Sequence, residues 1–420
     1  PAILKDAVER AYAAAGWDLM KSVNKYDDRL FPTFSDVLKQ IRQVLNESDY
    51  SADNKGDYTG SLVTRLRSLT NGINGLIFTA DDVADEQLFD NNVIIDLSRV
   101  GSTETKALIM GLIVLKLQEY RMEQRSTGKD ANSCLQHITV LEEAHNLLKR
   151  TSTEQTTEGA NLLGKSVEML ANSIAEMRTY GEGFIIADQS PGLLDMSVIR
   201  NTNTKIVLRL PDFSDRELVG KAAGLDDKQI IELGRLEKGV AAITQSDWLE
   251  PVLCKVDKYN APARSGRAPQ PLADVPQEES VEETLLDFIM KGELYRKGDR
   301  VDIQRLWEKI VRSQLDTTVK CDFMEYISAG DKEAVKSLRM LVYEFFHAEK
   351  AIQASTECNT IEEWSSRVLE QLSPSLKGYT QQQIDLVLAL ILYEQAERNV
   401  SYQNLFIRFT EVYWEKGGVI

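Results

Sequence analysis

The chain has 420 residues, 43% apolar and 27% charged, enough for two or three domains with real cores and outside the disordered and collagen-like classes. Its net charge of -16 excludes bulk attraction to nucleic acid, so any DNA contact must be confined to a loop or channel. Cys134, Cys254, Cys321 and Cys358 are far apart with no CxxC spacing, which argues against a disulfide framework or a zinc site, and no apolar run approaches a bilayer span. A reducing, cytoplasmic setting is expected, and a start at Pro1 without a signal segment suggests a fragment of a longer protein.

Residues 1–90 read as a mainly helical segment packed on the core that follows, with Pro32-Thr33-Phe34-Ser35 opening a helix after a short turn. From 91 to 259, short β-rich runs alternate with helical stretches. The runs are Val93 to Leu97, Ile138 to Leu141, Phe184 to Ala187, Lys205 to Leu210 and Gly239 to Thr244. That alternation predicts an α/β core with a mainly parallel sheet and crossover helices. Residues 260–280 form a linker, kept extended by Pro262, Pro269, Pro271 and Pro276. From 281 to 420 helical periodicity dominates, as in Ile384, Val387, Leu388 and Ile391, so the last third is an expected α-helical domain.

The run from His137 to His145 carries the most chemistry, because a β-branched strand ends there in two adjacent carboxylates. Buried parallel strands deliver function at their C-terminal ends. Glu142 could hold Mg²⁺ or its bound water, and Glu143 could orient and deprotonate an attacking water. The same residues would also suit a strand entering a helix whose first turn is acidic. After the strand ending at Ala187, Asp188-Gln189-Ser190-Pro191 puts an amide at the sheet edge, as a phosphate sensor or simply a polar turn. Arg178 ends a helix at a Gly181 stop, where arginine also suits the helix dipole. Arg200 and Arg209 flank the next strand and could reach a phosphate or lie on the surface. His145 follows the acids, but with His137 and His347 in apolar surroundings no zinc site is expected.

Taken in order, Glu142-Glu143-Ala144-His145, Arg178 to Gly181, Ala187 to Pro191 and Asn201 to Arg209 resemble the HerA–FtsK superfamily of hexameric DNA-pumping ATPases, in particular its bacterial HerA-like branch. The resemblance extends over about residues 1–255. It implies a RecA-like P-loop NTPase core, ATP and Mg²⁺ as cofactors, and a homo-hexameric ring acting as a DNA translocase or helicase. It also implies a Walker B role for Glu142 and Glu143, a sensor role for Gln189 and a trans-acting role for Arg178, with Arg209 and Arg200 as further phosphate contacts. A nuclease or other effector is an expected protein partner, and no membrane is. A type IV secretion or conjugation motor and a catalytically silent scaffold remain alternatives.

In this family the Walker A loop precedes the first helix, so it is expected upstream of Pro1, and the fragment alone is expected to be inactive. Gly159 to Ser166 satisfies GxxxxGK[ST], but Lys149 to Glu158 is polar where a phosphate loop needs a preceding buried strand. A loop is the better reading, with Lys149, Arg150 and Lys165 as contacts to DNA phosphates in a channel or as solvated charges.

Overall fold

The computed structural model describes residues 2–49, 51–80, 83–126, 134–150, 162–259, 280–291, 303–330, 333–353, 360–372, 376 and 378–415. The expected linker thus falls almost wholly outside the described residues. The chain divides into one unit of residues 83–270 and another of residues 1–82 with 271–420.

The N-terminal segment comprises α1 (Ala2–Ala14), a short hairpin of β1 (Trp17–Asp18) and β2 (Val23–Asn24), α2 (Phe34–Glu47), α3 (Ala52–Tyr58), α4 (Thr64–Thr70) and α5 (Gly72–Ile77). The Thr33 hydroxyl accepts from the Asp36 amide while the Asp36 carboxylate accepts from the Thr33 amide, a capping box that starts α2 at the expected place. Its stripe of Val37, Leu38, Ile41, Val44 and Leu45 buries against Ile3, Ala7 and Ala11 of α1.

The unit of residues 83–270 contains α6 (Asp85–Phe89), α7 (Thr103–Ser126), β3 (His137–Glu142), α8 (Leu162–Met177), β4 (Glu182–Ala187), α9 (Met196–Asn201) and β5 (Thr204–Val207). It continues with α10 (Phe213–Ala222), α11 (Asp227–Glu232), β6 (Val240–Gln245) and β7 (Val252–Lys255). β3 and β4 pair in parallel from His137↔Glu182 to Glu142↔Ala187. One face of this pair, with Leu141, Phe184 and Ile186, packs on Val114 and Leu117 of α7 and Leu170 of α8. On the other face Ile138, Val140 and Ile185 are exposed.

Two expectations about the sheet need correction. Val93 to Leu97 is irregular, with Ile94 95% exposed; among the described residues no strand offers it the ladder its backbone would need. Nor is the sheet mainly parallel. β5, β6 and β7 form a separate antiparallel sheet, the last two joined as a hairpin. β-Propensity specifies strands, whereas pairing direction depends on where the connections return.

The start of the β3–β4 pair is locked by a buried ionic cluster. The Glu182 side chain, fully buried, accepts from Arg121 Nε at 3.2 Å and Thr139 Oγ1 at 2.7 Å, with His137 Nδ1 also at 2.7 Å. Arg121 also donates to Asp90 at 2.8 Å and to the Phe89 carbonyl at 2.9 Å, tying α6, α7 and β4 together. Burial pushes the Asp90 carboxyl up, but hydrogen bonds from Tyr120 and Arg121 outweigh it and leave it below its usual range. Burial, then the bond to Asp90, pushes the Tyr120 hydroxyl up to about 12.

The remaining helices are α12 (Val281–Lys291), α13 (Ile303–Arg312), α14 (Thr317–Ser328), α15 (Ala334–Phe345), α16 (Ala348–Gln353), α17 (Ile361–Leu372), α18 (Gln381–Arg398) and α19 (Gln403–Glu415). Val387 to Leu392 of α18 are buried in one core with Ile310, Phe323, Leu341 and Trp364. The N-terminal segment falls in one compact unit with this core. Leu30 is part of the core, Trp307 donates to Asp27 at 2.8 Å, and Tyr26 donates to Glu325 at 2.6 Å. Thr317 donates to Asp36 at 2.6 Å, so the carboxylate that caps α2 also anchors α14. Among the described residues no helix is long and apolar enough to cross a membrane.

Two outcomes follow from these buried charges. Arg121→Met strips Glu182 of its cation and should cost about 3 kcal/mol in urea unfolding, whereas Arg235→Met, at an exposed pair with Glu232, should leave the midpoint unchanged. Asp322 of α14 is buried with one carboxylate oxygen unpartnered, and burial, then Glu344 and Glu325, push its carboxyl up to about 7 from 3.8. The folded state therefore binds this proton more tightly than the unfolded chain, and stability drains away as pH rises through 7. The loss reaches up to about 4 kcal/mol. Thermal unfolding at pH 5 and pH 8 should show a smaller decline for Asp322→Asn than for the parent protein; equal declines would refute the assignment.

Candidate functional site

The parallel register sets Glu142 level with Ala187, so the residues that follow each strand emerge side by side at one edge. Glu143 does not begin a helix. It takes left-handed backbone angles, φ 49° and ψ 47°, and leads into a single 3₁₀ turn, Ala144–Asn146. The acidic-first-turn alternative is thereby removed. Asn146 caps this turn from its own amide at 2.9 Å and its side chain at 3.0 Å, both donated to the Glu143 carbonyl. Ala144 and Leu148 are fully buried beneath it. The chain then runs beside the turn that follows β4. Asp195 N donates to Leu148 O at 2.9 Å, Arg150 N donates to Leu193 O at 2.7 Å, and Lys149 bridges Leu194 in antiparallel fashion.

Across this edge Gln189 Nε2 donates to Glu143 Oε1 at 2.8 Å. The structure thus brings together the amide and one carboxylate that the sequence singled out. Glu142 ends β3 on the exposed face, and among the described residues its carboxylate has no protein partner. Its exposed carboxylate is a hard-oxygen group of the kind that holds Mg²⁺ or its bound water.

Arg178 lies at the other end of the strands. α8 passes into the 3₁₀ turn Arg178–Tyr180, and Gly181, at φ 82°, makes the left-handed stop before β4. Six strand residues at roughly 3.3 Å each put about 20 Å between this exposed arginine and the Gln189 edge. Arg200 on α9 and Arg209, two residues beyond β5, are exposed, and among the described residues no hydrogen bond or ion pair joins either to Glu143 or Gln189. Lys149 and Arg150 are exposed and leave the same edge as Glu143. Lys165 lies in the first turn of α8 with its side chain outside the described residues, as are Gly159 to Asn161 of the GxxxxGK[ST] match.

Two residues at this edge went unassigned in the sequence. Asp188, its side chain 3% exposed, accepts at Oδ2 from His145 N at 2.8 Å, lies 2.9 Å from His145 Nδ1, and accepts at Oδ1 from Ser190 N at 2.8 Å. The His145 ring also stands 3.5 Å from Glu143 Oε2. Glu143, His145 and Asp188 consequently place three potential ligand atoms within 4.8 Å of one another. The signal for them was the equal length of the two strands, which sets the residue after Ala187 opposite the turn after Glu142. His137 and His347 are likewise not in apolar surroundings: one meets Glu182, and the other lies 3.8 Å from Asp316.

No family model matches the chain. It is 25% identical over 228 residues to the DNA double-strand break repair helicase HerA of Sulfurisphaera tokodaii, a match covering 53% of this chain and 42% of that protein. Its counterpart in Sulfolobus acidocaldarius is 28% identical over 138 residues, covering 33% and 26%. The chain thus spans less than half the length of these curated relatives. Among solved structures, VirB4 of Thermoanaerobacter pseudethanolicus superposes with a TM-score of 0.37 at 13% identity, covering 61% of this chain and 63% of that one. In motif order and in these relatives, the chain is similar to the HerA helicases of the HerA–FtsK superfamily of ATPases.

Proposed function

We propose that this chain is part of an ATP-driven DNA translocase or helicase with a RecA-like core, working as a hexameric ring. The observation that carries this reading is the 2.8 Å contact between Gln189 and Glu143 at the C-terminal edge of parallel strands, where ligands of α/β sheets bind. Its DNA substrate is inferred from the relatives' description as helicases.

In this mechanism Glu143 accepts the proton of a water attacking the γ-phosphate in line, and Gln189 holds that carboxylate and the water in register. Glu142 would hold Mg²⁺, which when bound offsets phosphate charge. Arg178, at the far end of the strands, serves the site of a neighbouring subunit and not its own. Arg200 and Arg209 are further phosphate contacts. Lys149 and Arg150, with Lys165, supply local positive charge to DNA phosphates despite the acidic whole. The helical domain is the surface for an effector such as a nuclease.

In the intact protein, Glu143→Gln should retain ATP binding while turnover falls by about 10²-fold or more; an undiminished rate would rule out the assignment. Arg178→Ala should be inactive alone, yet mixing it with Glu143→Gln subunits should restore part of the activity, because some seams then combine an intact glutamate with an intact arginine. Silence in the mixture would show that Arg178 is not supplied in trans.

A further inference from the structure

We infer that Asp188, acting through His145, is a positioning residue for Glu143, distinct in role from Gln189. This inference rests on the ATPase reading above. Glu143 is held in a backbone conformation that side chains larger than glycine, asparagine and aspartate adopt reluctantly, so something outside the residue must keep it there.

The local turn supplies only part of that restraint, through the bonds from Asn146 to the Glu143 carbonyl. The rest comes from the neighbouring strand. A single oxygen of Asp188 takes both the backbone amide and the ring Nδ1 of His145, so the second residue after Glu143 is clamped in main chain and side chain together. The bond places the proton on Nδ1, a tautomer assigned from this network. With the ring fixed, its Nδ1 edge stands 3.5 Å from Glu143 Oε2, while Gln189 occupies Oε1. Each oxygen of the catalytic carboxylate thus faces one group set by the exit of β4.

The chemistry of Asp188 supports a clamp. Its buried carboxylate faces three N–H groups, those of His145 N, His145 Nδ1 and Ser190 N. Asparagine has one acceptor oxygen and would turn an amide NH₂ toward one of these donors, so it cannot replace aspartate here. A role in orientation follows from these contacts: three of the roughly four acceptor sites of the Asp188 carboxylate already face N–H groups of the protein.

The test is an epistasis experiment in the intact protein, with stoichiometric ATP binding measured alongside turnover. His145→Ala and Asp188→Asn should each lower kcat at least tenfold while KM, the number of ATP sites and the affinity at those sites stay unchanged. In a Glu143→Gln background the same substitutions should lower the residual rate no further, because the group they orient is gone. A merely structural role would reduce the number of binding sites, or would add its loss on top of Glu143→Gln; either result overturns the inference, as do single variants with full kcat. Should Glu143→Gln itself leave turnover intact, the ATPase reading fails instead, so the two failures are told apart.

Discussion

The six-residue parallel register of β3 with β4 is the constraint on which the site depends. A slip of β3 by one residue would carry Leu141 out of the core and misalign every group at the C-terminal edge, while Phe184 and Ile186 of β4 stayed packed. The apolar face therefore specifies the geometry of the candidate site: the packing that buries those three side chains is also what sets Gln189 opposite Glu143. At the opposite end, Glu182 and Arg121 fix the same register from inside, through hydrogen bonds that only one alignment satisfies.

The two ends of the strand pair divide the labour. One gathers the carboxylates, the amide and the imidazole; the other presents Arg178 beyond a glycine stop. A rigid ladder about 20 Å long keeps them apart within a chain, so a chemistry that needs both must draw them from two copies. On the proposed reading such a contact would join unlike surfaces, and a heterologous interface closes into a ring or extends into a helix.

Much of this was legible in the residues because the strand ends are punctuated. β3, β4 and the core of β5 and β6 appear close to where β-branched runs stand between turn residues, and α2 begins at its capping box. Val93 to Leu97 misled because its composition is strand-like while strand formation requires a neighbour, which propensity cannot supply. The antiparallel turn of β5, β6 and β7 was hidden for a related reason: direction is decided by connection geometry, which the run of apolar residues does not encode. Grouping residues 1–82 with the C-terminal helices depends on side chains nearly 300 positions apart, such as Trp307 and Asp27, and no local pattern announces such pairs. Asp188 was in plain view but looked like part of a polar turn, and His145 was weighed only as a metal ligand, since a clamp is recognisable only once two strands are aligned.

The left-handed backbone at Glu143 has an evolutionary consequence. A non-glycine residue there forgoes about 1–2 kcal/mol relative to an easier conformation, which glycine would recover and asparagine would largely recover. Selection for folding alone would favour either replacement, and the proposed role of the carboxylate is what opposes it. On the proposed reading, a gene copy freed from turnover should drift at this codon before it drifts in the surrounding core, leaving a small, unstrained residue as the mark of the lost activity.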